Sequence, residues 1–554
     1  MNPPHLDLRG STGRPWTTKT LRPMRLHVRG DLEGVEALQA MLQGTAPPVE
    51  TIAATLSALN GHFALVLEGD GWILAVVDRI RTTPLFYAHD GLGWRISDQG
   101  GKLAHQLGFG VGEVNPDAAL ALAMAGYTIG ADTLYQGLQS LVAGEAVLLT
   151  DNAAHRIRYH RYRAWEVEAQ PDEVLRRALA GTTLDILRAL MERAGDRPIV
   201  IPLSAGLDSR LIASGLHHLG CRTVRCFSYG LPGNYEAEAA RRIAGQLGYD
   251  WRFVPFSIGR LRRFFASDDH AAYLAYADTC TNLPFEQDLY AIRVLQSDGY
   301  IPNNAILVNG NSGDFISGGH IPPTLHRPDP DLSPDKRKQA VAGALVEKHF
   351  RLWASLATPN RDARIAHRLV QEIESSDIDF QKVDAVHGGY EFCESQDRQS
   401  KYVIAGQRIY EHAGLDWALP LWADDYLSFW QSVPLSAKAG QSLYRAMLEF
   451  TNWGGVWQGT PWQFPRTVSP SWLRLPRLTL KALLLPFGQA RWGRFERRFL
   501  QYWTSNLASA AFHPYSRIAR DRRGARHDVA WQAEAYLASK NLDFAGLPIT
   551  EAGS

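Results

Sequence analysis

Hydrophobic and polar positions alternate in two different ways along the chain and divide it near residue 170. Over residues 23–165, short apolar runs of strand length follow one another, as in "HFALVLEGDGWILAVVDRIRTTPLFYAHDGLGWRISD". The turn sequences "GDG" and "HDGLG" break them. "AGEAVLLTDNAAHRIRYHRY" reads as a further hairpin. Between them, "NPDAALALAMAGY" predicts a helix with Asn115 as N-cap and Pro116 as its first residue. Strands with few helices predict an α+β sandwich over residues 1–165.

From residue 172 the apolar spacing lengthens to the helical period and alternates with short continuous runs. "DEVLRRALAGTTLDILRALMERA" is an amphipathic helix and "RPIVIPLS" a buried strand. Then come helix "SRLIASGLHHLG", strand "TVRCFSYG", helix "YEAEAARRIAGQLG" and strand "WRFVPFS". Strand–helix alternation predicts a parallel sheet with helices on both faces. "NAILVNGNSGDFISGG" adds a strand and a glycine-rich turn, and residues 330–450 and 525–545 read as largely helical. The second unit therefore spans 172–554, an α/β sheet domain with a helical carboxyl-terminal part.

Composition changes this picture little. The 554 residues are 45% hydrophobic and 21% charged, with 58 basic and 57 acidic side chains and a net charge of +1. That balance gives no reason to expect a nucleic-acid partner. The four cysteines, Cys221, Cys226, Cys280 and Cys393, form no CxxC pair, which argues against a zinc site or disulfide framework and fits a reducing compartment. With no apolar leader and no membrane-length apolar run, the expectation is a cytoplasmic protein. One charge run stands out, residues 466–500. Arg474, Arg477, Lys481, Arg491, Arg494, Arg497 and Arg498 alternate there with Trp and Leu. It reads as a solvated helix face over a packed apolar side, or as a surface for a membrane or an anionic substrate.

The stretch with most chemistry is "VIPLSAGLDSRLIASGLHHLG", residues 200–220. A buried strand ends in small residues, and ligands of open parallel sheets bind beyond such ends. Backbone N–H groups of Ser204, Ala205 and Gly206, with the hydroxyl of Ser209 and the following helix start, form a phosphate cradle. Asp208 would repel phosphate, so its place there calls for Mg²⁺ between them. The motif is not a Walker A loop, which needs GxxxxGK[ST]. A second strand ends in "LVNGNSGDFISGG", residues 307–319, and Asp314 within it is the natural second carboxylate for the same metal.

S-A-G-L-D-S resembles the SGGxDS pyrophosphate loop of the ATP pyrophosphatase superfamily, with one Gly→Ala departure. The order of elements resembles the asparagine synthetase family: SGGLDS, then "CFSYGLPGNYEAEAARRIAGQLG", then a G-x-x-x-D-E-x-F-G-G element. A stretch of the form DR…GLE-x-R-x-P-F-L-D follows, matched here by Asp397, Arg398, Gly414, Leu415, Asp416, Pro420 and Asp424. The amino-terminal half is similar to class II glutamine amidotransferase domains, of the Ntn-hydrolase type, in "LNGHFALVLEGDG…DRIRTTPLFYAHD". Those hydrolyse glutamine with an amino-terminal cysteine. This chain begins Met1-Asn2-Pro3, lacks an N-G-E-I-Y-N segment and has Asn60 at the "LDG" aspartate. The resemblance therefore implies a degenerate, inactive glutaminase kept as scaffold, unless an upstream start supplies the cysteine.

The resemblance implies ATP and Mg²⁺ as cofactors and an amide-forming reaction through an acyl-adenylate. Leu203, Ser204, Ala205, Gly206, Leu207, Asp208, Ser209, Tyr229, Asn309 and Gly310 would surround the nucleotide, with Asp208 and Asp314 as metal ligands and catalytic carboxylates. The carboxylate would belong to a small molecule, peptide or sugar, and a partner protein from a biosynthetic cluster is an open expectation. The family's acids fall at Asn311 and Phe315. Glu391, Glu394, Asp397 and Tyr390 are replacement candidates for a second-step base, and Lys438, Lys401 and Arg466 for a pyrophosphate-stabilising cation. Two alternatives stay open: a silent nucleotide-binding partner or regulatory subunit, and a cyclase of the lasso-peptide or β-lactam type that uses an internal amine.

Overall fold

The computed structural model describes residues 5–21, 24–41, 46–151, 153–458 and 468–549. The amino-terminal strands are β1 (His5–Asp7), β2 (Thr17–Leu21), β3 (Met24–Gly30), β4 (Phe63–Gly69) and β5 (Trp72–Val77). They continue as β6 (Phe86–His89), β7 (Trp94–Ser97), β8 (Gln139–Ser140), β9 (Glu145–Thr150) and β10 (Ala153–Arg158). They form a four-stranded sheet, β1-β7-β6-β8, and a six-stranded sheet, β10-β9-β5-β4-β3-β2.

The period of two in β4 decides the layering. Ala64 and Val66 face Leu85, Tyr87 and Ile96 of the other sheet. Phe63, Leu65 and Leu67 face Ile52 and Leu56 of the helix Val49–Ser57. The expected sandwich is thus present, with a helix on its outer side. Its strands begin earlier than residue 23, because "HLD" and "TTKTL" are polar edge strands with no apolar alternation to reveal them. Asn115 does cap its helix, Pro116–Ala125, accepting from the N–H groups of Asp117 (3.0 Å) and Ala118 (3.3 Å).

The second sheet is β11 (Ile199–Pro202), β12 (Val224–Gly230), β13 (Asp250–Pro255), β14 (Ile306–Val308) and β15 (Asp416–Ala418). The order is β13-β12-β11-β14-β15 and every pairing is parallel. Ile199, Val200 and Ile201 are all fully buried although successive side chains point to opposite faces, so both faces are covered. β15 lies within the stretch expected to be largely helical. A three-residue strand is too short to carry a period. The chain leaves β11 for β12 on one side and pairs β14 on the other, and this switch point opens a crevice beyond the strand ends.

The amino-terminal and carboxyl-terminal units are tied together closely. Asp416, opening β15, takes Arg14 (3.0 Å), Arg193 (2.8 Å) and Arg197 (3.0 Å). The Arg14 guanidinium lies 4.0 Å from the Trp417 ring centre. A Cβ on Gly13 would sit 2.3 Å from the Leu415 carbonyl oxygen, so the backbones touch. One core also crosses the division, joining Leu120 and Leu122 to Leu345, Ile365 and Trp531 of the late helices. No described helix is long and apolar enough to cross a membrane.

Candidate active site

After β11 the chain turns through residues 203–207 into the helix Asp208–His218. Ser204 organises the turn. Its Oγ accepts the Gly206 N–H (3.1 Å), and its own N–H donates to Ser209 Oγ (3.1 Å). Ala205, which replaces a glycine of the resembled motif, is buried, so the interior absorbs its methyl group. After β14, residues 309–313 lead to Asp314. Each acid stands six positions past the end of its strand, at Pro202 and Val308.

The two loops touch where only glycine fits. A Cβ on Gly310 would lie 2.7 Å from the Ser209 nitrogen, and one on Gly313 would lie 2.6 Å from the Asp208 carboxylate. Asp208 Oδ2 accepts the Asp314 N–H at 3.0 Å, and Oδ1 accepts the Tyr444 hydroxyl at 3.1 Å. Burial, and then the adjacent Asp314 charge, push the Asp208 pKa up to about 8. Burial alone would raise Asp314 as well, but its hydrogen bond to His320 holds it below the usual range. Carboxyls so placed do not both stay ionised without a cation. Among the described residues no cluster of three or more His, Cys, Asp or Glu forms a complete metal cage. Two carboxylates without further side-chain ligands suit Mg²⁺, which takes its remaining oxygens from phosphate and water.

These acids border a cavity of about 330 Å³. Of the residues expected to hold nucleotide or metal, Ser204, Gly206, Leu207, Asp208, Ser209, Tyr229, Asn309, Gly310 and Asp314 line it. Leu203 and Ala205 do not line it; both are buried beneath the turn. Phe285, Gln287, Asp288 and Gln441 complete the wall without having announced themselves in the sequence. Gln287 donates to the Tyr229 hydroxyl (3.1 Å). Tyr410 donates to Asp288 (2.6 Å) and accepts from Asn309 (3.1 Å). Burial pushes the Asp288 pKa up to about 6.

A buried polar chain stands behind Asp314. His320 Nε2 meets Asp314 Oδ2 at 3.0 Å, and its Nδ1 hydrogen-bonds Glu394. Glu394 also contacts His349 Nε2 (3.1 Å) and accepts from Gln399 Nε2 (3.0 Å). Burial alone would lower the His320 pKa, but Glu394 and Asp314 outweigh it and push it to about 9. Of the four replacement candidates for a base, Glu394 is the one linked to Asp314, through His320. Tyr390 contacts His349 (3.0 Å). Asp397 accepts the Gly130 N–H (2.9 Å) and pairs with Lys401 (2.9 Å), and Glu391 pairs with Lys438 (3.1 Å). Lys401 and Lys438 are thereby engaged in buried pairs away from the cavity wall. Arg466 lies outside the described residues. Asn311 lines the cavity, whereas Phe315 is buried and stacks on Trp422 with ring centres 5.9 Å apart.

All four cysteines are buried, and burial pushes the thiols of Cys226, Cys280 and Cys393 up, away from a reactive thiolate.

Residues 185–449 match the family described as asparagine synthase. That span, similar to the asparagine synthase family, holds both acid loops and the whole parallel sheet. Among solved structures, the glutamine phosphoribosylpyrophosphate amidotransferase of B. subtilis, complexed with ADP and GMP, is 12% identical. The match covers 45% of this chain and 74% of that one, with a TM-score of 0.17. A second structure, described as the allosteric regulatory enzyme of purine biosynthesis, is 11% identical over 48% of this chain and 76% of that one, with a TM-score of 0.18. No curated protein matches significantly.

Proposed function

We propose that this protein is an ATP-dependent amide-forming ligase. A carboxylate oxygen of a small molecule, peptide or sugar attacks the α-phosphorus of ATP. The new O–P bond gives an acyl-adenylate as the bond to pyrophosphate breaks. Ammonia or an amine then attacks the acyl carbon, AMP leaves, and the nitrogen loses a proton. The observation that carries this reading is the convergence of Asp208 and Asp314 on one cavity at the sheet's switch point.

Mg²⁺ held by these two carboxylates would neutralise the departing pyrophosphate. Ser204, Ser209 and the positive end of the helix Asp208–His218 bind the phosphate tail. Tyr229, Asn309 and Gln287 form the wall for the nucleoside. His320 and Glu394 hold Asp314 in place from behind. In this reading the nitrogen arrives as ammonia or as an amine, and the amino-terminal sandwich packs against the ligase unit through the Asp416 ion pairs.

Asn311 on the wall, where the resembled motif has an acid, favours a second reading in which nucleotide is bound without turnover. Acid-dependent exchange of labelled pyrophosphate into ATP separates the two. Exchange above background with some member of a carboxylate panel supports the ligase. Nucleotide binding without exchange, or release of ADP alone, contradicts it.

A further inference from the structure

The basic, aromatic run carries a surface that the proposed ligase chemistry does not use. The helix Ser471–Leu484 runs on into a turn at Leu485–Phe487 and folds back along Gln489–Phe495. Its inner side, Leu473, Leu480 and Leu484, packs with Trp492, Phe495 and Leu500. Its outer side is also apolar and, among the described residues, largely uncovered apart from Trp472 against the Trp503 ring. Trp472, Leu475, Leu478, Leu483, Leu485 and Phe487 are each at least 45% exposed, and Leu475 reaches 76%. These six are drawn from the fifteen large apolar side chains exposed among the described residues, so the exposure is concentrated here. An exposed apolar face of this size marks an interaction surface.

The charges around this face are of one sign. Arg474 and Lys481, two turns apart, lie along one edge of it. Arg491 sits over Phe487 with its guanidinium 5.7 Å from the ring centre. Among the described residues none of these three forms an ion pair, and the local acid, Glu496, is taken by Arg477 at 2.8 Å. A second copy of the chain docking through the same face would bring like charges together. An anionic lipid surface offers hydrocarbon to the leucines and phosphate to the cations.

We propose that residues 471–491 form an interfacial membrane-docking element, lying in the plane of an anionic bilayer with Leu475 and Leu478 inserted. This surface stands apart from the acid loops and does not depend on the ligase reading. The test is co-sedimentation of the full chain with phosphatidylcholine vesicles, with and without phosphatidylglycerol. Binding is expected to anionic vesicles, to fall with added salt, and to weaken roughly tenfold or more in Leu475→Asp/Leu478→Asp. Arg474→Glu/Lys481→Glu should lose the preference for anionic lipid. Both pairs replace side chains outside the packed core, so the thermal midpoint should hold. No vesicle binding by the wild-type chain, undiminished binding by the leucine variant, or a soluble dimer that the leucine variant dissolves while vesicles stay unbound would each overturn the proposal.

Discussion

The backbone N–H of Asp314 donates to the carboxylate of Asp208 over 3.0 Å, although 106 positions separate them in the chain. The bond brings together the ends of β11 and β14, neighbours at the switch point of the sheet. It also explains the glycines: Gly310 and Gly313 are where the second loop passes against the first.

If both carboxylates act on one cation, each is needed. Asp208→Asn and Asp314→Asn should each cut carboxylate-dependent pyrophosphate exchange by about 10²-fold or more, within the range for loss of transition-state electrostatics. The folded state should survive, since neutralising Asp208 removes repulsion. Exchange kinetics beside a thermal melt check this.

Gly313→Ala tests the closeness of the loops separately. Its methyl group would meet the Asp208 carboxylate at 2.6 Å, so Asp208 must move. Nucleotide affinity and exchange should both fall, while circular dichroism stays unchanged. A fully active Gly313→Ala enzyme would mean that the loops sit further apart.

In the proposed reaction His320 and Glu394 would act through Asp314, to which they are hydrogen-bonded in series. Glu394→Gln should raise the Mg²⁺ concentration needed for half-maximal exchange by about 10–100-fold, the usual scale for groups that orient a metal ligand. A direct role in proton transfer would instead lower the maximal rate at saturating Mg²⁺, so a Mg²⁺ titration separates the two.

Acid should destabilise the fold in part through His160. Burial, and then the charges of Arg79, Arg158 and Arg163, push its pKa down to about 3 from 6.5. Between those values the unfolded chain binds a proton that the folded chain does not. Stability is therefore fully present above pH 6.5 and lost as pH falls toward 3. For a partly exposed ring the loss is on the order of 2 kcal/mol. Urea midpoints measured against pH should show a shallower acid slope in His160→Gln.

The junction between the two units should resist separation. Asp416 gathers three arginines, so Asp416→Ala removes the ion-pair partner of Arg197 and leaves Arg14 and Arg193 with Asp31 alone, and should cost about 3 kcal/mol. A chain cut near residue 170 should yield a poorly soluble carboxyl-terminal unit. A single cooperative melt in the intact chain checks this.

Local pattern carries far in this chain. The helix at residues 172–194, the strands around it and both acid loops were legible, because each is signalled by neighbours in sequence. β15 was not, since three residues hold no period and its place is settled by pairing with β14. Asp288 and Gln441 reach the site only through tertiary closure, and no local motif marks them, whereas His320 directly follows the second acid loop, six positions after Asp314. Lys401 and Lys438 show the converse. As isolated lysines they were candidates for binding pyrophosphate, yet folding pairs each with a buried acid.

The most direct test is an anomalous-scattering crystal structure with Mn²⁺ and a non-hydrolysable ATP analogue. The account predicts a metal peak bridging Asp208 and Asp314 with the triphosphate against Ser204 and Ser209. A metal bound elsewhere, or a nucleotide seated outside this cavity, would contradict it.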